Sequence, residues 1–305
     1  MDREVFNLFK LFKEIWRERS SYFFISPALI IFVVFFIYPI FYLTWLSFTD
    51  SRLIGPPAAL IGLENFQRLL TDQRFIISLK NTVVLTVLTT IGAAVISLFL
   101  AYLLSKKLRF SNLYKTLLYI PVITPVVASS RIWEYVLEST PRGLFNYILS
   151  FLQLPPQAWL DSPRLAIYSV AIMMIWQGVG WDMIIFLVGL RGIPDVFYEV
   201  ALLDGANAGQ RFRHITLPLL KPVITFVIII GTINGFKIFD QVLLLTNGGP
   251  IYATRTIVLD IYRNIFNSFE TGYAAAESVF LAVIIILITV VQRKFLTRGE
   301  LVSYE

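Results

Sequence analysis

Apolar residues run in long blocks along this chain, and the charged residues gather between them. Six blocks, at 23–48, 80–104, 115–137, 165–190, 222–245 and 273–291, are long enough to cross a hydrocarbon core, which takes about 20 residues of helix. Strands of a β-barrel would be about half that length and would alternate polar with apolar, whereas a run such as SVFLAVIIILITVV does not alternate. The pattern predicts an all-α polytopic membrane protein with six transmembrane helices, because a helix satisfies its own backbone groups in lipid. Ahead of the first block, Val5, Leu8, Phe9, Phe12 and Trp16 recur at three and four, which predicts an amphipathic segment over 1–21 lying on the membrane surface. Acids mixed among its bases, and the length of the block behind it, argue against a cleavable signal peptide.

Composition agrees. The 305 residues are 57% hydrophobic and only 15% charged, against about 25% charged in soluble domains, so a water-soluble enzyme is not expected. With no Cys in the sequence, disulfides, thiolate nucleophiles and iron–sulfur clusters are excluded. The single His214 leaves no basis for a His-rich metal site or an H-E-x-x-H constellation. The net charge of +6 reflects topology rather than nucleic-acid binding. Sixteen Lys and Arg fall in segments 1–21, 105–115, 191–221 and 292–305, and seven in the alternate segments 49–78, 138–164 and 246–272. By the positive-inside rule both termini are expected in the cytoplasm. One membrane domain over 22–292 and a cytoplasmic tail over 293–305 complete the expected organisation.

Segment 191–221 is the longest internal loop, and it is patterned. After Pro194, Val196, Val200 and Leu203 share one face, and Asp204-Gly205 reads as a helix stop. A second short helix is expected through Gln210, Phe212 and Ile215 as far as Pro218. Two short helices with a glycine at the corner suit a rigid knob that docks into a cytoplasmic partner.

This loop resembles the EAA signature of ABC importer permeases. Glu199, Val200 and Ala201 are followed by Gly205 six residues after the glutamate, then by Ile215, Leu217 and Pro218 at the family spacing. The longer run EVALLDGANAGQRFRHITLPLLKP is similar to the carbohydrate, or maltose-type, subgroup; Val200 departs from the usual Ala. SPALIIFVVFFIYPIFYLTWLSFTD, GLENFQRLLTDQRFIISLKNTVV and LTNGGPIYATRTIVLDIYRNIFNSFETGYAAAESV resemble other parts of sugar permeases, so the likeness covers about 22–292, in the shorter six-span form.

The resemblance implies the type I ABC importer permease fold with a cytoplasmic EAA coupling-helix loop. It implies a location in a bacterial or archaeal inner membrane. It also implies several partners: a second homologous permease subunit, two ATP-binding-cassette ATPase subunits, an external solute-binding protein, and a sugar or oligosaccharide. Glu199, Ala201, Asp204 and Gly205 would then be the ATPase-coupling residues, with Glu199 bonding across the interface and Gly205 turning the corner. ATP and Mg would be bound by the partners and no cofactor by this chain, which contains no G-x-x-x-x-G-K-[ST] phosphate loop.

Polar residues inside spans are costly and mark pathways. In the fifth span Gly231, Asn234, Gly235, Ile238 and Gln241 are expected on one helical stripe, and in the fourth WQGVGWDM offers Trp176, Gln177, Gly178, Trp181 and Asp182. Amides bond hydroxyls and indoles stack on sugar rings. The resemblance places Gln177, Gly178, Gly231, Gly235 and Ile238 at positions that line the solute site. The glycines equally fit close helix packing, and Trp176 fits plain packing. Arg131 with Glu134, and Lys237 with Asp240, are spaced to neutralise each other. Alternatively, Arg131 and Lys237 face the pathway and favour an anionic sugar. An ion-coupled secondary transporter is the alternative function, but midplane carboxylate relays and paired broken helices are not evident in the sequence.

Overall fold

The computed structural model describes residues 19–56, 58–106 and 109–296; the expected amphipathic segment falls almost wholly, and most of the expected tail wholly, outside them. The first helix, α1, comprises Arg19–Phe32 and Tyr38–Leu46 joined through a π-helical segment, Val33–Ile37. A short α2 (Glu64–Thr71) leads into α3 (Gln73–Ser105). Then come α4 (Ser111–Ile123), α5 (Val126–Val136), α6 (Leu144–Phe151) and α7 (Ala166–Arg191). The loop helix α8 (Asp195–Leu203) precedes α9 (Ala208–Leu219), which contains a second π segment, Phe212–Thr216. The chain finishes with α10 (Lys221–Phe236), α11 (Asp240–Leu245), α12 (Ile257–Phe266) and α13 (Thr271–Leu296).

Both π segments sit just ahead of a proline, Pro39 and Pro218. A proline ring clashes with the carbonyl four residues back and donates no hydrogen bond. Those carbonyls belong to Phe35 and His214, inside the widened turns.

Four spans are continuous: Phe23–Leu46, Gln73–Ser105, Ala166–Arg191 and Thr271–Leu296. The expectation of six unbroken helices fails for the other two. The third is broken, with α4 and α5 meeting at 100°. The cause is local: Thr124 is extended (ψ 127°) ahead of Pro125, as a residue before proline prefers. The fifth stops at Phe236, and the chain turns through 237–239 before α11 begins. The stripe expected to run from Gly231 to Gln241 along one helix is therefore interrupted at Lys237. A further bend of 65° separates α9 from α10.

Helix α3 runs through the middle, packed along α7 on one side and α10 on the other. Small side chains let the axes approach, as in membrane bundles generally. Ala93, Ala94, Ser97 and Ala101 of α3 are buried, and Ser97 donates to the Val179 carbonyl of α7 at 2.9 Å. Three apolar clusters fill the rest. One, beside the loop helices, joins Leu104, Phe186, Ile193 and Leu220; two lie toward the opposite end, around Trp133, Leu137 and Leu245, and around Phe75, Ile257 and Tyr273.

At that opposite end the segment 246–256 is pinned by buried polar groups. Asn81 donates to the carbonyls of Tyr252 (2.8 Å) and Arg255 (3.0 Å). Arg255 pairs with Asp260, which also accepts from Ser78 at 3.2 Å, and Asn264 donates to the fully buried Glu277 at 2.9 Å.

Gly180 marks a close approach of α7 to α4. A Cβ there would lie 2.3 Å from the Leu118 carbonyl oxygen of α4, whereas one on Gly178 would meet nothing within 4 Å. Gly180→Ala is therefore expected to destabilise the detergent-solubilised protein by about 1–3 kcal/mol through overpacking, and Gly178→Ala to hold or slightly raise its melting temperature, as loss of a mid-helix glycine does. Equal melting curves for the two variants would contradict this packing.

Candidate functional site

A cavity of about 530 Å³ opens where α3, α7 and α10 diverge and the two broken spans turn. From α7, Gln177, Gly178, Trp181 and Asp182 face it; from α10, Gly231, Asn234 and Gly235; from the turn behind α10, Lys237 and Ile238; from α11, Asp240 and Gln241. All nine residues expected along the pathway border this one cavity, although Ile238 and Gln241 reach it from beyond the break instead of along a continuous stripe. The turn brings them in.

Close reading separates the glycines. A Cβ on Gly231 would meet Thr90 at 2.8 Å, and one on Gly235 would meet Thr86 at 2.6 Å. Their missing side chains let α10 press against α3, while Gly178 leaves open space on the α7 wall. Gly231 and Gly235 thus both pack and border the cavity, whereas Gly178 borders it without a packing contact.

Two amide bonds cross the wall. Gln177 Nε2 donates to the Thr124 carbonyl at the break between α4 and α5 (3.5 Å), and Gln241 Nε2 donates to Gln177 Oε1 (3.4 Å). The other break is satisfied separately, by Thr256 Oγ1 donating to the Ile238 carbonyl at 3.0 Å.

Charges fall differently from the symmetrical expectation. Arg131 pairs with Glu134 at 2.7 Å, is largely exposed, and lies off the wall of this cavity. Lys237 and Asp240 both border the cavity, but no ion pair within 4.0 Å joins them among the described residues. Trp176 points away, packed edge-on against Trp133 with ring centroids 5.7 Å apart, while Trp181 borders the cavity.

Sequence reasoning overlooked Thr89 and Thr90, which form the α3 wall. A row of threonines at 82, 86, 89 and 90 was the available signal. Such hydroxyls bond backward, as Thr86 does to the Thr82 carbonyl at 2.7 Å and Thr89 to Leu85 at 2.7 Å, so they cost little in lipid and draw no notice. Thr90 Oγ1 is buried without a partner.

The second constellation is the loop of α8 and α9. Helix α8 buries none of its residues; Val196 and Val200 are about half exposed and Leu203 is 89% exposed, so its apolar face points away from the body. Glu199, Asp204 and Gly205 are exposed and Ala201 half-buried. Gly205 has φ +75°, the left-handed conformation that favours glycine. The Ala206 amide returns to the Ala201 carbonyl at 2.9 Å, closing a Schellman-type end. Asn207 and Gln210 then cap α9 reciprocally, each side chain accepting from the other's amide. Tyr198 shares a hydrogen bond with Thr216 (3.0 Å), and Phe212 meets Tyr102 of α3 edge-on at 4.9 Å. The knob is thereby braced on the longest helix.

Residues 93–298 match the profile of the family described as "Binding-protein-dependent transport system inner membrane component". The chain is 34% identical to the trehalose/maltose transport system permease protein MalF of Thermococcus litoralis, over 92% of this chain and 94% of that protein. It is 32% identical to the arabinooligosaccharides transport system permease protein AraP of Bacillus subtilis, over 91% and 88%. Among solved structures, it superposes with a TM-score of 0.82 and 26% identity on a chain of a bacterial ABC transporter involved in the import of the acidic polysaccharide alginate, covering 95% of this chain and 99% of that one.

The two tryptophans of α7 give a direct check on the wall. An edge-on aromatic pair is worth about 1 kcal/mol beyond its burial, so Trp176→Ala should lower the melting temperature more than Trp181→Ala. The reverse order would place Trp176 in the cavity and Trp181 in the packing.

Proposed function

The chain belongs to the family of inner membrane components of binding-protein-dependent transport systems, and we propose from that premise that its cavity carries a sugar or oligosaccharide inward while partner ATPases drive the alternation. The observation that carries this reading is the cavity wall itself. Amides from Gln177, Asn234 and Gln241, carboxylates from Asp182 and Asp240, and one indole face converge at mid-bundle. That is a surface for hydroxyl groups and for the apolar faces of sugar rings. Relatives named for trehalose/maltose, arabinooligosaccharides and alginate support the same substrate class. Nothing in the family or its relatives favours the ion-coupled alternative.

In this reading α8 is the plug for an ATP-binding subunit. Its exposed apolar face supplies the buried contact, Glu199 a charged bond across the interface, and the capped Gly205 corner a stiff lever into α10. Two such ATPases hold the ATP and Mg, a second related permease completes the walls, and an external binding protein delivers the solute. Both termini then lie in the cytoplasm, on the side of the loop.

Lys237 sharpens the substrate class. Its ammonium borders the cavity with no ion pair to Asp240, and the alginate transporter is a structural neighbour. The reading therefore extends to acidic oligosaccharides, whose carboxylate faces Lys237 while hydroxyls donate to Asp182 and Asp240.

Reconstitution tests the whole scheme. Uptake in vesicles should require ATP, the ATPase, the second permease and the loaded binding protein; accumulation by the purified chain alone on an ion gradient would overturn it. Glu199→Ala should lower ligand-stimulated ATP hydrolysis about tenfold, the scale of a lost charge-assisted bond. Lys237→Ala should raise KM for an acidic oligosaccharide by about tenfold while sparing a neutral one. Equal effects on the two substrates would remove the acidic assignment and leave the transport function standing.

A further inference from the structure

We propose that Gln241 and Gln177 form an amide latch that pins the register of α5 and α11 over the cavity until a polyhydroxylated ligand takes over its bonds. The proposal rests on the sugar-transport reading. Helices α5 and α11 are the segments beyond the two breaks, and they pack on each other. Each joins its span through a short non-helical link, Thr124-Pro125 in one case and 237–239 in the other. Beside them runs α7, unbroken for 26 residues.

What holds these pieces to α7 is of two kinds. One is an apolar cluster, in which Trp133 and Val242 meet Val170 and Met173. Such contacts are non-directional and allow packed helices to slide in shear. The other is directional: Gln241 Nε2 to Gln177 Oε1 at 3.4 Å, and Gln177 Nε2 to the Thr124 carbonyl at 3.5 Å. These two bonds connect α11, α7 and the α4–α5 link in series. Among the described residues they are the side-chain hydrogen bonds that tie α11 and the α4–α5 link to α7.

Their length matters. N–H···O bonds are usually about 2.9–3.0 Å, so both links are weak ones, and both glutamines border the cavity. A hydroxyl brought to the wall offers a shorter donor or acceptor to the same amide groups, and the exchange frees the register. An apolar solute of equal size has nothing to exchange. Ligand chemistry is thereby read before the helices move.

The test uses the assembled complex of both permeases, two ATPases and binding protein in nanodiscs, with maltose or an alginate oligomer as the probe. Because the chain has no cysteine, Tyr135→Cys on α5 and Tyr168→Cys on α7, both exposed in the single chain, are spin-labelled in this chain alone, before it is assembled with cysteine-free partners. Gln241→Leu is expected to raise ATP hydrolysis in the absence of ligand by about fivefold, the shift that loss of one net hydrogen bond supports. It should also move the ligand-free label distance to the value the wild-type complex shows with loaded binding protein. Gln177→Leu, which removes both links, should do so at least as strongly. Should Gln241→Leu not assemble, Gln241→Met keeps the length without the amide donor and carries the same expectation. An unchanged ligand-free rate and label distance, with only KM for uptake raised, would make the glutamines ligand contacts and overturn the latch. A wild-type complex that takes up sugar under no condition would instead overturn the transport reading.

Discussion

A carbonyl that leaves its helix ladder inside hydrocarbon finds no water, so it must be met by another protein group or be turned toward a wet cavity. This chain leaves the ladder twice within its spans, and both places obey the requirement. Pro125 forces Thr124 into extended backbone, and the Thr124 carbonyl is met by Gln177. The chain also leaves α10 at Lys237, and the Ile238 carbonyl is met by Thr256. The cavity lies where these interruptions fall. Broken backbone, polar side chains and open volume therefore have one origin, because each would be too costly in lipid without the others.

Around this opening the remaining helices are held close by residues that lack side chains. Gly231 and Gly235 bring α10 onto the threonine row of α3, and Gly180 brings α4 onto α7. With these contacts tight, the space cannot be relieved by collapse. The wall at Gly178 stays clear, so the open volume is set by where the small residues are absent from the contacts as much as by where they are present.

Much of this was legible in the residues, and the exceptions have physical causes. The four continuous spans follow from block length alone, and the loop knob follows from Pro194, Gly205 and the Asn207 to Gln210 cap, because turn chemistry is local. The interruption at Thr124 was readable from Pro121 and Pro125 but was masked by the unbroken hydrophobicity of 115–137, which measures burial and not direction. The one after Phe236 carries no proline, and its cause is tertiary: Thr256, 18 residues on, supplies the missing partner. Polar cost in lipid pointed to Gln177, Asn234 and Gln241, and the family resemblance to the glycines and Ile238; all of them border the cavity. The spacing of Arg131 and Glu134 foretold their pairing, one turn apart, while the same reasoning overlooked Thr89, whose hydroxyl is already satisfied within its own helix.

Helix α1 packs chiefly on α13, through Tyr38–Leu46, and it is tied there by Ser51 to Thr271 and, through the neighbouring α2, by Arg68 to Glu270. More than 200 residues separate those partners. A ribosome emits the opening helix long before the closing one exists, so during synthesis the former must wait among lipids with its flank uncovered. Helix α13 is thus a keystone for α1, and a chain cut before it leaves α1 unmoored.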